Sequence, residues 1–281
     1  MAIKIWIENM KDKKITIIVS SVVIILVIGI VVSYKISQYK NPTVNALGNP
    51  DGRIINSEEA INNREEKVTQ EVTHNVDEQM EVMNVYKPDG KKTVYLTFDD
   101  GPSKVTPEVL DILKKNNVHA TFFVIGNLAE KRSDLILRES QEGHSIDNHT
   151  YSHIYKNIYI SPDAFIQDVN KCNDTLKKIL GANYKSRIIR FPGGSFGSKM
   201  APYREAISKA GYSYIDWNSL NGDAESKILP PDKLVARLKQ TAKGEHLVVL
   251  MHDAAGKGTT PKALQQIIDY LKAGGYSFKT L

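Results

Sequence analysis

The chain has 281 residues and a formal charge of +5, from 37 Lys and Arg against 32 Asp and Glu. Its basic residues are scattered, with no Lys/Arg tract or basic–aromatic cluster, which argues against a nucleic-acid partner. The single cysteine, Cys172, excludes an internal disulfide framework and every CxxC metal motif. It falls in a predicted helix, as a small packing residue.

The first element is an uncharged run, ITIIVSSVVIILVIGIVVSY, from Ile15 to Tyr34. It has the length of a membrane-spanning helix, about 20 residues. Lys4, Lys11, Lys13 and Lys14 precede it, and only Lys35 and Lys40 follow closely. The positive-inside bias therefore puts residues 1–14 in the cytoplasm and everything after Tyr34 outside, at the cell membrane. The following SYKISQYK lacks a small-x-small cleavage pattern, which favours an uncleaved anchor over a signal peptide. Residues 35–90 read as a linker or stalk, opening with the turn-rich NPTVNALGNPDG. Ile61, Val68, Val72, Val76, Met80 and Met83 are spaced as one thin face of a helix over residues 57–84. Such a face could self-associate or serve as a solvated spacer.

Residues 91–281 alternate strand-like runs with amphipathic helices. KTVYLTF precedes TPEVLDILKKNN, where Thr106 is the expected cap and Pro107 the first helical residue. HATFFVIG precedes NLAEKRSDLILRESQEG, HSIDNHT precedes SPDAFIQDVNKCNDTLKKILG, and SRIIRFPGG precedes APYREAISKAG. YSYIDWN then leads to PPDKLVARLKQTAK and HLVVLMHD to PKALQQIIDYLKAGG, with YSFKTL closing the chain. This alternation predicts an α/β fold with a mostly parallel sheet, either open or closed into a barrel. In both cases the chemistry sits beyond the carboxyl ends of the strands.

Those ends hold an unusual set. Asp99 and Asp100 end the first run, His149 and His153 follow the third, and Arg190 ends the fourth. Asp223 follows YIDWN, and His252 ends VVLMH. His119, His144 and His246 stand at strand beginnings, on the opposite rim. An i, i+4 histidine pair puts two imidazoles on one face of a helix or turn, though HxxxH alone occurs in many proteins without metal. With a carboxylate from another strand it becomes a His₂Asp set, and three protein ligands with an open position mark a catalytic zinc site. A cation there acidifies water and polarises a carbonyl oxygen. The acidic doublet then divides its labour: one member holds the cation, whose field keeps the other ionised as a base. Arg190 would pair with that base, and His252 would protonate a leaving amine with Asp223 holding its imidazolium. The glycines of PGGSFG would let a backbone amide face an oxyanion.

Together these residues resemble the polysaccharide deacetylase family (carbohydrate esterase family 4, the NodB homology domain), over about the last 190 residues. TFDDG is complete at Thr97–Gly101, HTYSH fits H-[ST]-x-x-H at His149–His153, RFPGG spans Arg190–Gly194, and L-x-H is Leu250–His252. The resemblance implies a distorted, partly open (β/α)7-type barrel. It implies Asp99 as base, Asp100, His149 and His153 as metal ligands, and Arg190 as the residue tuning the base. It further implies His252 as acid, supported by Asp223, with Leu250 lining the acetyl pocket and the Gly193 amide at the oxyanion. The implied cofactor is a divalent metal, Zn2+ first, with Co2+, Mn2+ or Ni2+ accepted to some degree.

The family removes N-acetyl, or sometimes O-acetyl, groups from polymers of acetylated sugars. With the anchor, this points to N-acetylglucosamine of a cell-wall glycan, peptidoglycan above others. Alternatives are N-acetylmuramic acid, chitin oligomers, poly-N-acetylglucosamine, acetylated xylan, or a non-catalytic wall-binding protein. Two positions depart from the family pattern: GDAE has Ala224 where many members carry tryptophan, and Gly193 stands where many carry an aromatic residue. Trp217 is expected either to stack on sugar or to be buried.

Overall fold

The computed structural model describes residue 79 and residues 82–184, 188–226 and 228–281. The expected cytoplasmic and membrane segments, and the stalk up to residue 78, lie outside the described residues. Among the described residues no helix is long and apolar enough to cross a membrane.

Strand β1 (Thr93–Gly101) leads through α1 (Thr106–Lys115) to β2 (Thr121–Val124). Helices α2 (Gly126–Lys131) and α3 (Ser133–Gln141) precede β3 (Ser145–Asn148), and α4 (Tyr155–Ile158) and α5 (Pro162–Leu180) precede β4 (Ile188–Ile189). After α6 (Ala201–Lys209) come β5 (Ser213–Tyr214) and β6 (Ser219–Leu220), then α7 (Pro231–Thr241), β7 (His246–His252), α8 (Thr260–Ala273) and β8 (Ser277–Lys279). The strands run in the order β5-β4-β3-β2-β1-β7-β6, and β8 pairs with the first half of β1. Every pairing is parallel.

Alternation along the strands builds two apolar layers. Val94, Leu96 and Phe98 of β1, with Leu247, Val249 and Met251 of β7, pack in the large cluster that includes Leu110, Leu264 and Ile268 from the helices. Cys172 is buried in that cluster, as a packing residue. The opposite faces contribute Tyr95 and Val248 to an inner cluster with Phe123, Ile188 and Ile215. A flat sheet would hold β1 and β4 three spacings apart, about 14 Å. Here Arg190, just past β4, touches Asp99 of β1 at 2.9 Å. The sheet is therefore curled into a half-barrel, with β5 and β6 as its edge strands.

Three local expectations are corrected. YSYIDWN is not one strand: only its Ser213–Tyr214 pairs, as β5, and β6 lies just beyond it, because its polar side chains serve other elements. Asp216 accepts from the Ser195 N–H and hydroxyl at 2.9 and 2.6 Å, and the Asn218 amide bonds the His246 carbonyl and the Val248 N–H, both at 2.8 Å. Thr106 is not the helix cap, since Val105 holds that position. The Thr106 hydroxyl instead accepts from the Ser103 N–H at 2.8 Å and donates to Asp253. The long helix expected after β2 breaks at Arg132, between α2 and α3.

The end of the expected linker is packed on the sheet. Val82, Val85 and Tyr86 pack against the inner cluster, and the Gln79 amide pairs with both backbone groups of Tyr214 at 3.2 and 2.9 Å. His246 fastens the same segment, through Nδ1 to the Val85 carbonyl at 2.8 Å and through Nε2 to Asp89 at 3.0 Å. The packed fold thus begins upstream of Lys91.

Candidate active site

Neighbouring residues of a regular strand face opposite sides, so two adjacent acids can share a site only if the strand is broken between them. The register of β1 against β2 shifts between Asp99 and Gly101, and Asp100 has φ +69. Aspartate tolerates this left-handed geometry better than most residues. Asp99 continues the inner face of Tyr95 and Thr97, while the bulge swings Asp100 to the same rim.

The histidines arrive from β3. Thr150 and His153 have positive φ (67 and 54), so HTYSH is a tight loop and not a helix. The Asp168 carboxylate holds the loop by accepting from the N–H groups of Tyr151 and Ser152 at 2.6 and 2.9 Å. His149 Nδ1 is 2.8 Å from the Arg190 carbonyl, which fixes the tautomer and turns the Nε2 lone pair to the rim. His149 Nε2 and His153 Nε2 lie 3.4 and 3.1 Å from Asp100 Oδ1. One ligand atom from each of the three residues falls within 4.8 Å of the others. Asp100 Oδ1 is buried and has no hydrogen-bond partner. An orphaned carboxylate oxygen facing two imidazole nitrogens fits a divalent cation with three protein ligands. Burial alone would raise the Asp100 pKa, but the two histidines hold it well below the usual carboxylate range.

Asp99 lies beside this triad, 3 % exposed, with Arg190 Nη1 at 2.9 Å from its Oδ1. The fully buried guanidinium also donates to Thr97 Oγ1 at 2.5 Å and to the carbonyls of Ile215 and Asp216 at 3.3 and 3.1 Å. Its plane covers the Phe123 ring at 4.1 Å. Every edge of the cation is used, as a buried arginine requires.

His252 stands in register with Asp99 on the adjacent strand. Its Nδ1 is 2.7 Å from Asp223 Oδ1, and Asp223 Oδ2 accepts from the His252 N–H at 2.8 Å and the Thr260 hydroxyl at 2.7 Å. Burial would lower the His252 pKa, but the Asp223 hydrogen bond and the charges of Asp223, Asp99 and Asp100 raise it to about 9.

The loop after β4 begins with a turn in which the Gly194 N–H donates to the Phe191 carbonyl at 2.8 Å. Pro192 and Gly193 occupy its centre, and Gly193 has φ +80, the signature of a type II turn. The turn does not use the Gly193 N–H. Leu250 is buried in register with Thr97, and Ala224 is exposed. Trp217 meets Phe196 edge-on at 5.3 Å. It lines a groove of about 570 Å³ with Tyr86, Phe196, Tyr214 and Asp216. That groove adjoins the Asp100 cluster through Arg190 and does not contain it.

Thr97, Asp216 and Asp253 also build the site, although none is among the strand-end residues that the sequence singles out. Asp253 is fully buried, and its N–H donates to the Asp99 carbonyl at 3.3 Å while its carbonyl accepts from the Ser103 hydroxyl at 2.5 Å. Its carboxylate fills the space where a side chain on Gly101 would begin, with Oδ2 only 2.2 Å from an ideal Cβ. Its place beside His252 in LMHD was the available signal.

The family model described as polysaccharide deacetylase matches residues 86–215. The Bacillus subtilis (strain 168) protein YheN, a polysaccharide deacetylase by name, is 37% identical over 198 residues, 68% of each chain. A Bacillus cereus peptidoglycan-N-acetylglucosamine deacetylase is 31% identical over 193 residues, 67% of this chain and 69% of that one. A solved Streptococcus mutans CE4 esterase superposes with a TM-score of 0.66 at 34% identity, covering 72% of this chain and 90% of its own.

Proposed function

The chain belongs to the polysaccharide deacetylase family, carbohydrate esterase family 4, whose members act on N-acetyl amide bonds, and we propose that it removes the acetyl group from N-acetylglucosamine in peptidoglycan, releasing acetate. The observation that carries this reading is the convergence of Asp100, His149 and His153 on one point, flanked by the Asp99–Arg190 and His252–Asp223 pairs. The name of the Bacillus cereus relative supports the sugar and the polymer. The uncharged run Ile15–Tyr34 supports an anchored protein working on the wall beside the membrane.

Asp100 Oδ1, His149 Nε2 and His153 Nε2 would hold the cation, Zn2+ by the nitrogen-rich ligand set. When bound, it supplies Lewis-acid polarisation and acidifies water. The protein residues do the rest. Asp99, positioned by Arg190 Nη1 at 2.9 Å, takes a proton from the attacking water. The Gly193 N–H donates to the carbonyl oxygen as it becomes tetrahedral and anionic. His252 gives its Nε2 proton to the departing amine, and Asp223 keeps the ring oriented through Nδ1.

The test is mass spectrometry of purified wall fragments after incubation with the full chain, with and without chelator. Loss of acetyl from the glucosamine residues, abolished by chelator, is the expected result. Unchanged fragments, or loss of acetyl from another sugar alone, would overturn the assignment.

A further inference from the structure

Tyr155 opens α4 immediately after the HTYSH loop and is 49 % exposed, although it is aromatic. One edge meets the His153 ring at 5.4 Å and 83°. Its hydroxyl reaches Gly193, where an ideal Cβ would lie 3.0 Å from Oη and 3.2 Å from Cε1. The missing side chain of Gly193 is what lets the phenol lie against that backbone. The fold does not account for leaving about half of the residue in solvent. Its other edge meets Tyr159 at 5.8 Å and 73°, the outer ring of a stack with Phe165 and Tyr203, and that contact covers only part of the ring. Ile154 and Ile160 are exposed beside it in sequence, at 42 % and 76 %. An exposed apolar stretch of this kind commonly marks a contact surface.

We propose that Tyr155 is a sugar-binding residue, whose ring packs on the pyranose carrying the acetamide and whose position between His153 and Gly193 sets which sugar the site accepts. The chemistry suits that ligand. A pyranose offers an apolar C–H face to an aromatic ring, and a phenol hydroxyl at the ring edge can bond to the sugar's hydroxyls. The residue touches both a candidate metal ligand, His153, and Gly193, whose amide is proposed to face the carbonyl oxygen, so a sugar presenting its acetyl group there would lie beside the ring. This inference rests on the proposed deacetylase function and adds to it the surface that recognises the sugar.

The test uses the full chain loaded with zinc and two substrates: an N-acetylglucosamine tetramer and 4-nitrophenyl acetate, which has no sugar. Tyr155→Ala should raise KM for the tetramer about tenfold, as loss of one aromatic contact predicts. Its kcat, its zinc content and its hydrolysis of the aryl ester should stay near wild type. Tyr155→Phe should keep KM within about twofold, because the ring makes the contact. Equal losses on both substrates would assign Tyr155 a merely structural role, and an unchanged KM for the tetramer would exclude it from the subsite. A wild-type chain that neither cleaves nor binds the tetramer, by calorimetry, would overturn the proposed function and this subsite together.

Discussion

Arg190 and Asp99 form a buried ion pair across the curled sheet, Nη1 to Oδ1 at 2.9 Å, with side-chain exposures of 0% and 4%. Removing one partner strands the other charge in the interior, which typically costs about 3–5 kcal/mol. Arg190→Met should therefore lower the urea-unfolding free energy by that order. Adding Asp99→Leu should recover much of the stability and none of the activity. A single variant as stable as wild type would show that the pair has no such role.

The glycine of TFDDG is explained by Asp253, not by backbone freedom. A Cβ at Gly101 would lie 2.2 Å from the Asp253 carboxylate. Gly101→Ala should destabilise by about 1–3 kcal/mol, the usual cost of forcing atoms into a filled core. In an Asp253→Ala background the same change should add little, so the double-mutant cycle should show strong coupling. Additive effects by thermal or urea denaturation would contradict the steric account.

On the proposed acid role of His252, the Asp223–His252 pair should set the alkaline limit of catalysis. The acid must carry its proton, and its pKa is raised to about 9, so kcat should fall as pH rises toward that value. A bound cation repels the imidazolium and draws the limb below it. Asp223→Asn removes the acceptor and one negative charge, and should move the limb down toward the ordinary histidine range. The linkage to stability has the same sign. The pair stabilises fully below the unfolded value of 6.5 and loses its contribution as pH rises through about 9. A pH–kcat profile unmoved by Asp223→Asn would remove His252 from the acid role.

The segment upstream of Lys91 belongs to the fold. Val82, Val85 and Tyr86 cover the inner cluster, and half-burial of three such side chains is worth on the order of 3 kcal/mol. A fragment of residues 91–281 should melt below one of residues 79–281. Equal melting temperatures would show that the segment only rests on the surface.

Much of this was legible because parallel sheets place chemistry at one rim, so residues 99, 149, 153, 190, 223 and 252 could be collected before any coordinates. The bulge that lets Asp99 and Asp100 share that rim was not legible, since it is a shift of register and leaves no mark in side-chain type. Nor could the local pattern reveal that Arg190 would be fully buried, because its four acceptors come from two distant parts of the chain, Thr97 and Asp99 in β1 and the carbonyls of Ile215 and Asp216. The packing of Val82 and Val85 was hidden for a related reason. The expected stalk face runs through Met83, which is exposed, whereas the face laid on the sheet is that of Val82, Val85 and Tyr86. Asp253 was overshadowed by His252 beside it.

The most direct test of the account is to compare Asp99→Asn and His153→Ala for zinc content and acetate release on the same preparation of peptidoglycan. The account predicts that Asp99→Asn keeps near-normal zinc and loses turnover, while His153→Ala loses both. Turnover retained in Asp99→Asn, or full zinc retained in His153→Ala, would contradict the division of labour between the two acids on which everything above depends.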